Sequence, residues 1–367
     1  MASLLKDIYS KEFYEGFSTI LTQHIPSFSK KEFLKRIFTK DFESKELKER
    51  MRHTTTVLHS FFPEDYAATT QLLGKIISSL RENDFGEDSL AFMILPDYIE
   101  VYGLEHYQHS VKALEQVTQF VSCEFAVRPF LLQYGEKMMQ QMTKWSLHKN
   151  HKVRRLSSEG MRPKLPWAMA VPALKKDPLP VLALLENLKN DPSEWVRRSV
   201  ANNLNDISKD HPHLVLDIAK KWKGIGKETD AIIKHGSRTL LKQGHAEILQ
   251  YYGLDGGNMQ LSNFKILTPK VKIGDALAFS FSIRNNNTTT QTVRLEYAIY
   301  YRKANGQLSK KVFKISEKPY GPGEQAEILR KQKFILITTR TFYKGKHEMS
   351  VIINGQEKIT GEFLLVE

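Results

Sequence analysis

The chain has 367 residues, enough for two domains that each bury a core. At 41% apolar and 10% aromatic it is globular, no apolar run reaches the length of a membrane span, and its one cysteine, Cys123, excludes an intramolecular disulfide framework and any cysteine-built zinc site. The net charge of +13 is segregated: residues 1–143 carry 16 Lys/Arg against 20 Asp/Glu, residues 144–242 carry 20 against 10, and residues 258–367 carry 18 against 9. A solubilising surface accounts for many charges but not for their separation, which suggests a polyanion gripped by the second and third blocks.

The opening "MASLLKDIYSKEFYEGF" mixes acids and bases and has no apolar signal core, so a cytoplasmic protein is expected. Leu4, Leu5, Ile8, Phe13, Phe17, Ile20 and Leu21 recur at helical spacing, and similar stripes run through "TQLLGKIISSL", "VKALEQVTQFVSCEFAVRPFLLQY" and "LPVLALLENLKN". Prolines and glycines punctuate these stripes at about helix length, and up to Tyr252 the pattern predicts helices only.

"HKVRRLSSEGMRPKLPWA" and "EWVRRSVANNLND" share the tripeptide Val-Arg-Arg, 43 residues apart (Val153 to Val196). That period lies within the ~40–47 residues of HEAT and armadillo helix pairs. Asp191, Pro192 and Glu194 suit the start of the second helix. Val196 and Val200 are expected to face the neighbouring helix, with the arginines turned away. "DAIIKHGSRTLLKQG" reads as a decayed third copy, its Ile233, Leu240 and Leu241 apolar and its Lys234 and Arg238 on one face. Stacked copies would form a basic trough in which Arg154, Arg155, Arg162, Arg197, Arg198, Asn202, Lys234 and Arg238 are candidate contacts for that polyanion.

Beyond the glycines of "YYGLDGGNMQ" the period changes to two. "DALAFSFSIRN", "VRLEYAIYYRK", "KKVFKIS", "KQKFILITTR" and "EMSVIIN" alternate as strands do, and "ANGQ" and "INGQ" carry the Asn-Gly pair of tight hairpins. The expectation is an α + β two-domain chain: an all-α HEAT-like repeat solenoid over 1–255, then an all-β immunoglobulin-like sandwich over 258–367.

On a helix Arg155, Glu159 and Arg162 share a face, as do Arg198, Asn202 and Asp206. Arg155–Glu159 could be an ordinary intrahelical ion pair, and Asp206 could pair with a neighbouring repeat. Glu124 lies in an apolar stretch that reads as helix, where an acid needs a partner or a function, and Arg128 four residues on is the obvious partner. Trp167 is either packed beneath a loop or presented to a cation or a sugar. His106/His109 and His148/His151 lack a third ligand, so no metal is expected, and Cys123 reads as a buried thiol.

"SCEFAVRPFL", "HKVRRLSSEGMRPKLPWA" and "DPSEWVRRSVANNLNDISKDHP" resemble the signature segments of the AlkC family of alkyl-DNA glycosylases, relatives of AlkD. The likeness is strongest from Glu100 to Gly253, and some members of that family carry an immunoglobulin-like domain. The resemblance implies a monofunctional glycosylase that removes cationic alkylated bases such as 3-methyladenine and 3-methylcytosine from duplex DNA, without base flipping. It places the catalytic carboxylates on Glu124, Glu159 and Asp206 and the active-site tryptophan on Trp167. It further implies a monomer that needs no cofactor, makes no membrane contact and joins the nucleoid when bound to DNA. Two other classes stay open: a non-catalytic HEAT-like protein that binds DNA structure, and a HEAT scaffold for an acidic protein partner.

Overall fold

The computed structural model describes residues 4–254, 257–336 and 341–367. The chain divides into two compact units, Met1–Gly236 and Ser237–Glu367. Among the described residues no helix is long and apolar enough to cross a membrane.

The first unit contains α1 (Lys11–His24), α2 (Lys30–Ile37), α3 (Leu47–His59), α4 (Tyr66–Glu82), α5 (Ile94–Tyr102), α6 (Tyr107–Val117) and α7 (Val127–Trp145). It continues with α8 (His151–Gly160), α9 (Pro172–Lys176), α10 (Leu179–Leu188), α11 (Glu194–Ile207), α12 (Pro212–Trp222) and α13 (Lys227–Gly236). Small polar residues start several of these helices by taking up amide hydrogens that no helical carbonyl can reach. Ser10 accepts from Phe13, Asp65 from Ala67 and Ala68, and Asn150 from Lys152. Leu4 and Leu5, expected at the head of the first stripe, are instead exposed at a short 3₁₀ turn, because Ser10 starts α1 beyond them.

The two Val-Arg-Arg helices are α8 and α11, which pack on each other, and α11 packs in turn on α13. Val153, Val196 and Val200 are fully buried in that stack, as their spacing demands. Asp191 does not cap α11 directly; Ser193 holds the cap position, and Asp191 instead accepts the Ser193 amide at 2.8 Å, turning the chain two residues earlier. The expected third copy is broken after Gly236, so α13 ends the first unit and α14 (Arg238–Gln243) begins the second.

The second unit holds α14, α15 (Ala246–Tyr251) and eight strands: β1 (Met259–Ile266), β2 (Lys270–Lys272), β3 (Ala276–Asn285), β4 (Gln291–Arg302), β5 (Leu308–Tyr320), β6 (Gln325–Lys333), β7 (Gly345–Ile353) and β8 (Gln356–Val366). They form a three-stranded sheet, β1-β3-β6, and a five-stranded sheet, β2-β8-β7-β4-β5. Leu277, Phe279 and Phe281 of β3 meet Leu295, Tyr297 and Ile299 of β4 and Val351 of β7 between them, at alternate positions along each strand. The strand expected over "KQKFILITTR" ends at Lys333, and residues 337–340 of it lie outside the described residues, as do Asp255 and Gly256 of the expected linker.

Both Asn-Gly pairs turn hairpins. Asn354 (φ 48°) and Gly355 (φ 74°) join β7 to β8, the pair of positive φ values that a two-residue turn requires. Gly355 has a second reason to lack a side chain. A Cβ on Gly355 would stand 2.6 Å from the Cα of Gly244, which ends α14 at φ 71°. Backbone therefore meets backbone there.

Candidate active site

The end of α8, the turn before α7 and the start of α11 surround a groove of about 490 Å³, whose walls include Glu124, Arg155, Glu159, Arg162, Trp167 and Trp195. Glu124 is not on a helix. The apolar stretch that contains it breaks into α6 and α7, and Glu124 lies in the turn between them. Its partner is Arg155 rather than Arg128: Arg155 Nη1 donates to Glu124 Oε2 at 2.8 Å and to Ser122 Oγ at 3.0 Å. Ser122 Oγ donates to the same carboxylate oxygen at 2.8 Å. The pairing of Arg155 with Glu159 expected from helical spacing is therefore replaced by one that reaches across to the neighbouring turn.

Glu159 pairs with Arg162, and so does Asp206. Arg162 Nη1 donates to Glu159 Oε1 at 2.6 Å and its Nε to Asp206 Oδ2 at 2.8 Å. Lys209 Nζ donates to the other oxygen of Asp206 at 2.9 Å. Glu159 is 5% exposed and Asp206 1%, so each would be costly to ionise without a cation beside it. Burial works against the charge on Arg162, but the two carboxylates outweigh it and hold the guanidinium above its usual pKa. Arg162, a candidate contact for the polyanion, is thus a buried bridge between two acids.

Arg154, another candidate contact, is also engaged within the protein. Its Nε and Nη2 reach the two oxygens of Asp191 at 2.6 and 3.0 Å, and Nη1 donates to the carbonyls of His148 and Lys149. The hydrogen bonds to Asp191 hold its pKa up. Arg197 repeats half of this pattern, with Nη1 on the carbonyls of Asp191 and Pro192. The first arginine of each Val-Arg-Arg therefore folds back five and six residues to fasten the loop before its own helix. Arg155 and Arg198, the second arginines, point elsewhere. Arg198 is exposed beside a second cleft of about 380 Å³ that Arg197, Lys227 and His235 also line. Asn202 meets His235 at 3.2 Å, Lys234 is exposed on α13, and Arg238 opens α14 in the other unit.

Trp167 is 66% exposed, which rules out the reading that it packs beneath its loop. It lies in the turn Leu165–Ala168, closed by the Ala168 amide on the Leu165 carbonyl at 3.4 Å, with Pro166 before it and φ at 64°. Proline second and a positive φ third is the type II arrangement, which normally requires glycine third. Trp167→Gly is therefore expected to be more stable than Trp167→Ala by about 1 kcal/mol, although glycine usually ranks below alanine. Urea unfolding of the two variants measures the difference.

Trp195, 55% exposed in the first turn of α11, was not singled out by its sequence. The signal was its helical phase: it stands three residues before Arg198 and so shares that outward side. Cys123 is buried, and burial pushes its thiol pKa up.

Comparison with known proteins places the whole chain in a family. Residues 260–367 match the family model "Uncharacterised protein YhaZ, C-terminal Ig-like domain". Over 360 residues the chain is 45% identical to "Uncharacterized protein YhaZ" of Bacillus subtilis (strain 168), covering 98% of each. Alkylpurine DNA glycosylase AlkC of Pseudomonas fluorescens, solved bound to DNA containing an abasic site analogue, superposes with a TM-score of 0.92 at 33% identity over 100% of both chains. A likeness at that identity, extending through the helices and the sandwich alike, establishes that this chain belongs to the AlkC family.

Proposed function

We propose that the chain is a monofunctional DNA glycosylase that hydrolyses the N-glycosidic bond of cationic alkylated bases, 3-methyladenine and 3-methylcytosine among them, in duplex DNA. The observation that carries this reading is the groove itself, in which Glu124 and Glu159 stand with two exposed tryptophans while Asp206 is fixed behind Arg162. A base alkylated on a ring nitrogen is already positive and departs without an acid. What then needs stabilising is the oxocarbenium-like sugar, the charge that glycosidases also meet with carboxylates. Asp206 takes the sugar cation and the attacking water through the oxygen that Lys209 gives up when DNA binds, with Glu124 and Glu159 sharing those tasks and Trp167 against the sugar or the base.

The arginines suit this role. Arg155 aims Glu124, and Arg162 aims Glu159 and Asp206, at a cost met during folding and not during reaction. A neutral base gains nothing from such a site until a cation forms, which gives selectivity for charged lesions. This reading invokes no base flipping. The AlkC relative was solved with DNA, and here the basic residues 144–242 and 258–367 would hold the duplex of a monomer acting in the cytoplasm and on the nucleoid.

The deciding experiment incubates the full chain with duplexes that carry 3-methylcytosine or unmodified cytosine. Free 3-methylcytosine and intact abasic strands support the proposal; no release under any condition rejects it. Contact with phosphate is tested separately. Arg198→Ala is expected to weaken binding to all duplexes alike and to lower the slope of log affinity against log salt by about 0.9. Fluorescence anisotropy from low to high salt measures it.

A further inference from the structure

A bulky residue at positive φ persists only where its surroundings over-determine it. The turn that carries Trp167 is held from two distant parts of the first unit. From α7, Arg128 donates through Nη1 to the carbonyls of Gly160 and Arg162, both at 2.9 Å, and through Nε to that of Met169. Arg128 is 1% exposed and, among the described residues, no carboxylate pairs with it. Burial, then repulsion from Arg162, lowers its pKa to about 10. A guanidinium kept in such surroundings for three carbonyls is there to shape backbone. From α3, Lys48 donates to the carbonyl of Trp167 itself, 119 residues away, and its ammonium also lies 5.3 Å from the ring centre of Phe125, the neighbour of Glu124.

We propose that Lys48 and Arg128 are positioning residues, which lock the turn Leu165–Ala168 in its left-handed form and so aim the Trp167 ring into the groove. The proposal rests on the reading of Trp167 as a contact for the reacting nucleotide. Without the Lys48 grip the turn relaxes to type I, which accepts proline second and any residue third, and the ring swings away. Trp167 and Phe125 also line a larger cleft of about 750 Å³ on the α3 side, which gives the ring somewhere to go.

Lys48 is exposed, so Lys48→Met should fold, and circular dichroism verifies this. The first readout needs no chemistry. Trp145 and Trp222 are buried, so in full-length Trp195→Phe the quencher-accessible fluorescence comes from Trp167. Lys48→Met should change the acrylamide quenching of that signal, and Lys48→Arg, which keeps a donor, should restore it. The second readout is single-turnover excision at saturating DNA, expected to fall about tenfold in Lys48→Met, the population lost when a strained conformer is released. In a Trp167→Ala background the same substitution should cost nothing further, because the ring it positions is gone. Unchanged quenching, or losses that add, overturns the proposal. If the wild-type chain excises no base, the glycosylase reading fails, and the quenching series still decides whether Lys48 holds the turn.

Discussion

Asp206→Asn is expected to slow release of a cationic base by about two to three orders of magnitude at saturating DNA. A unit charge at about 4 Å and an effective dielectric near 20 is worth roughly 4 kcal/mol, or about a thousandfold in rate. The structure adds a reason for so large a loss. Asp206 is balanced by Arg162 and Lys209, so removing its charge leaves Arg162 to Glu159 alone and takes from Lys209 its carboxylate, beside a reaction that must develop a further cation. Asparagine keeps the size and the acceptor for Arg162, and the fold should survive. DNA affinity should hold or rise, because the loss of a negative charge close to the groove favours a polyanion. Single-turnover assays beside a thermal melt separate chemistry from unfolding. Excision near the wild-type rate would move the sugar contact to Glu124 or Glu159.

Arg154→Ala is expected to cost about 3 kcal/mol of stability and to leave the salt slope of DNA binding untouched. Its pair with Asp191 is nearly closed to water, with side-chain exposures of 14% and 4%, so truncation strands a buried carboxylate. It also frees the carbonyls of His148 and Lys149 at the head of α8. Arg197→Ala, which loses only carbonyl partners, should cost about 1–2 kcal/mol. Denaturant midpoints rank the two. A flattened salt response in Arg154→Ala would return that residue to the DNA surface.

The sequence by itself determined the classes and order of structure. Periods of 3.6 and then 2, broken by glycine-rich chain after Tyr252, are local properties that survive any packing, and so are Asn-Gly turns. The 43-residue recurrence likewise set α8 against α11, because a repeated apolar face has to be buried against its copy. Charge partners were another matter. Spacing along one helix offered Glu159 to Arg155 and Arg128 to Glu124, yet the structure joins Arg155 to Glu124, Arg162 to Asp206 and Arg154 to Asp191. Those pairs span 31, 44 and 37 residues, and an intrahelical pair worth a few tenths of a kcal/mol is easily outweighed by one between elements that is shielded from water. The same holds for tryptophan. Leu-Pro-Trp-Ala names a turn, but only carbonyl grips from α3 and α7 hold Trp167 at positive φ and in solvent. Local pattern chose the elements; tertiary contact chose which charges meet and which ring faces outward, because burial energy is decided between elements and not within them.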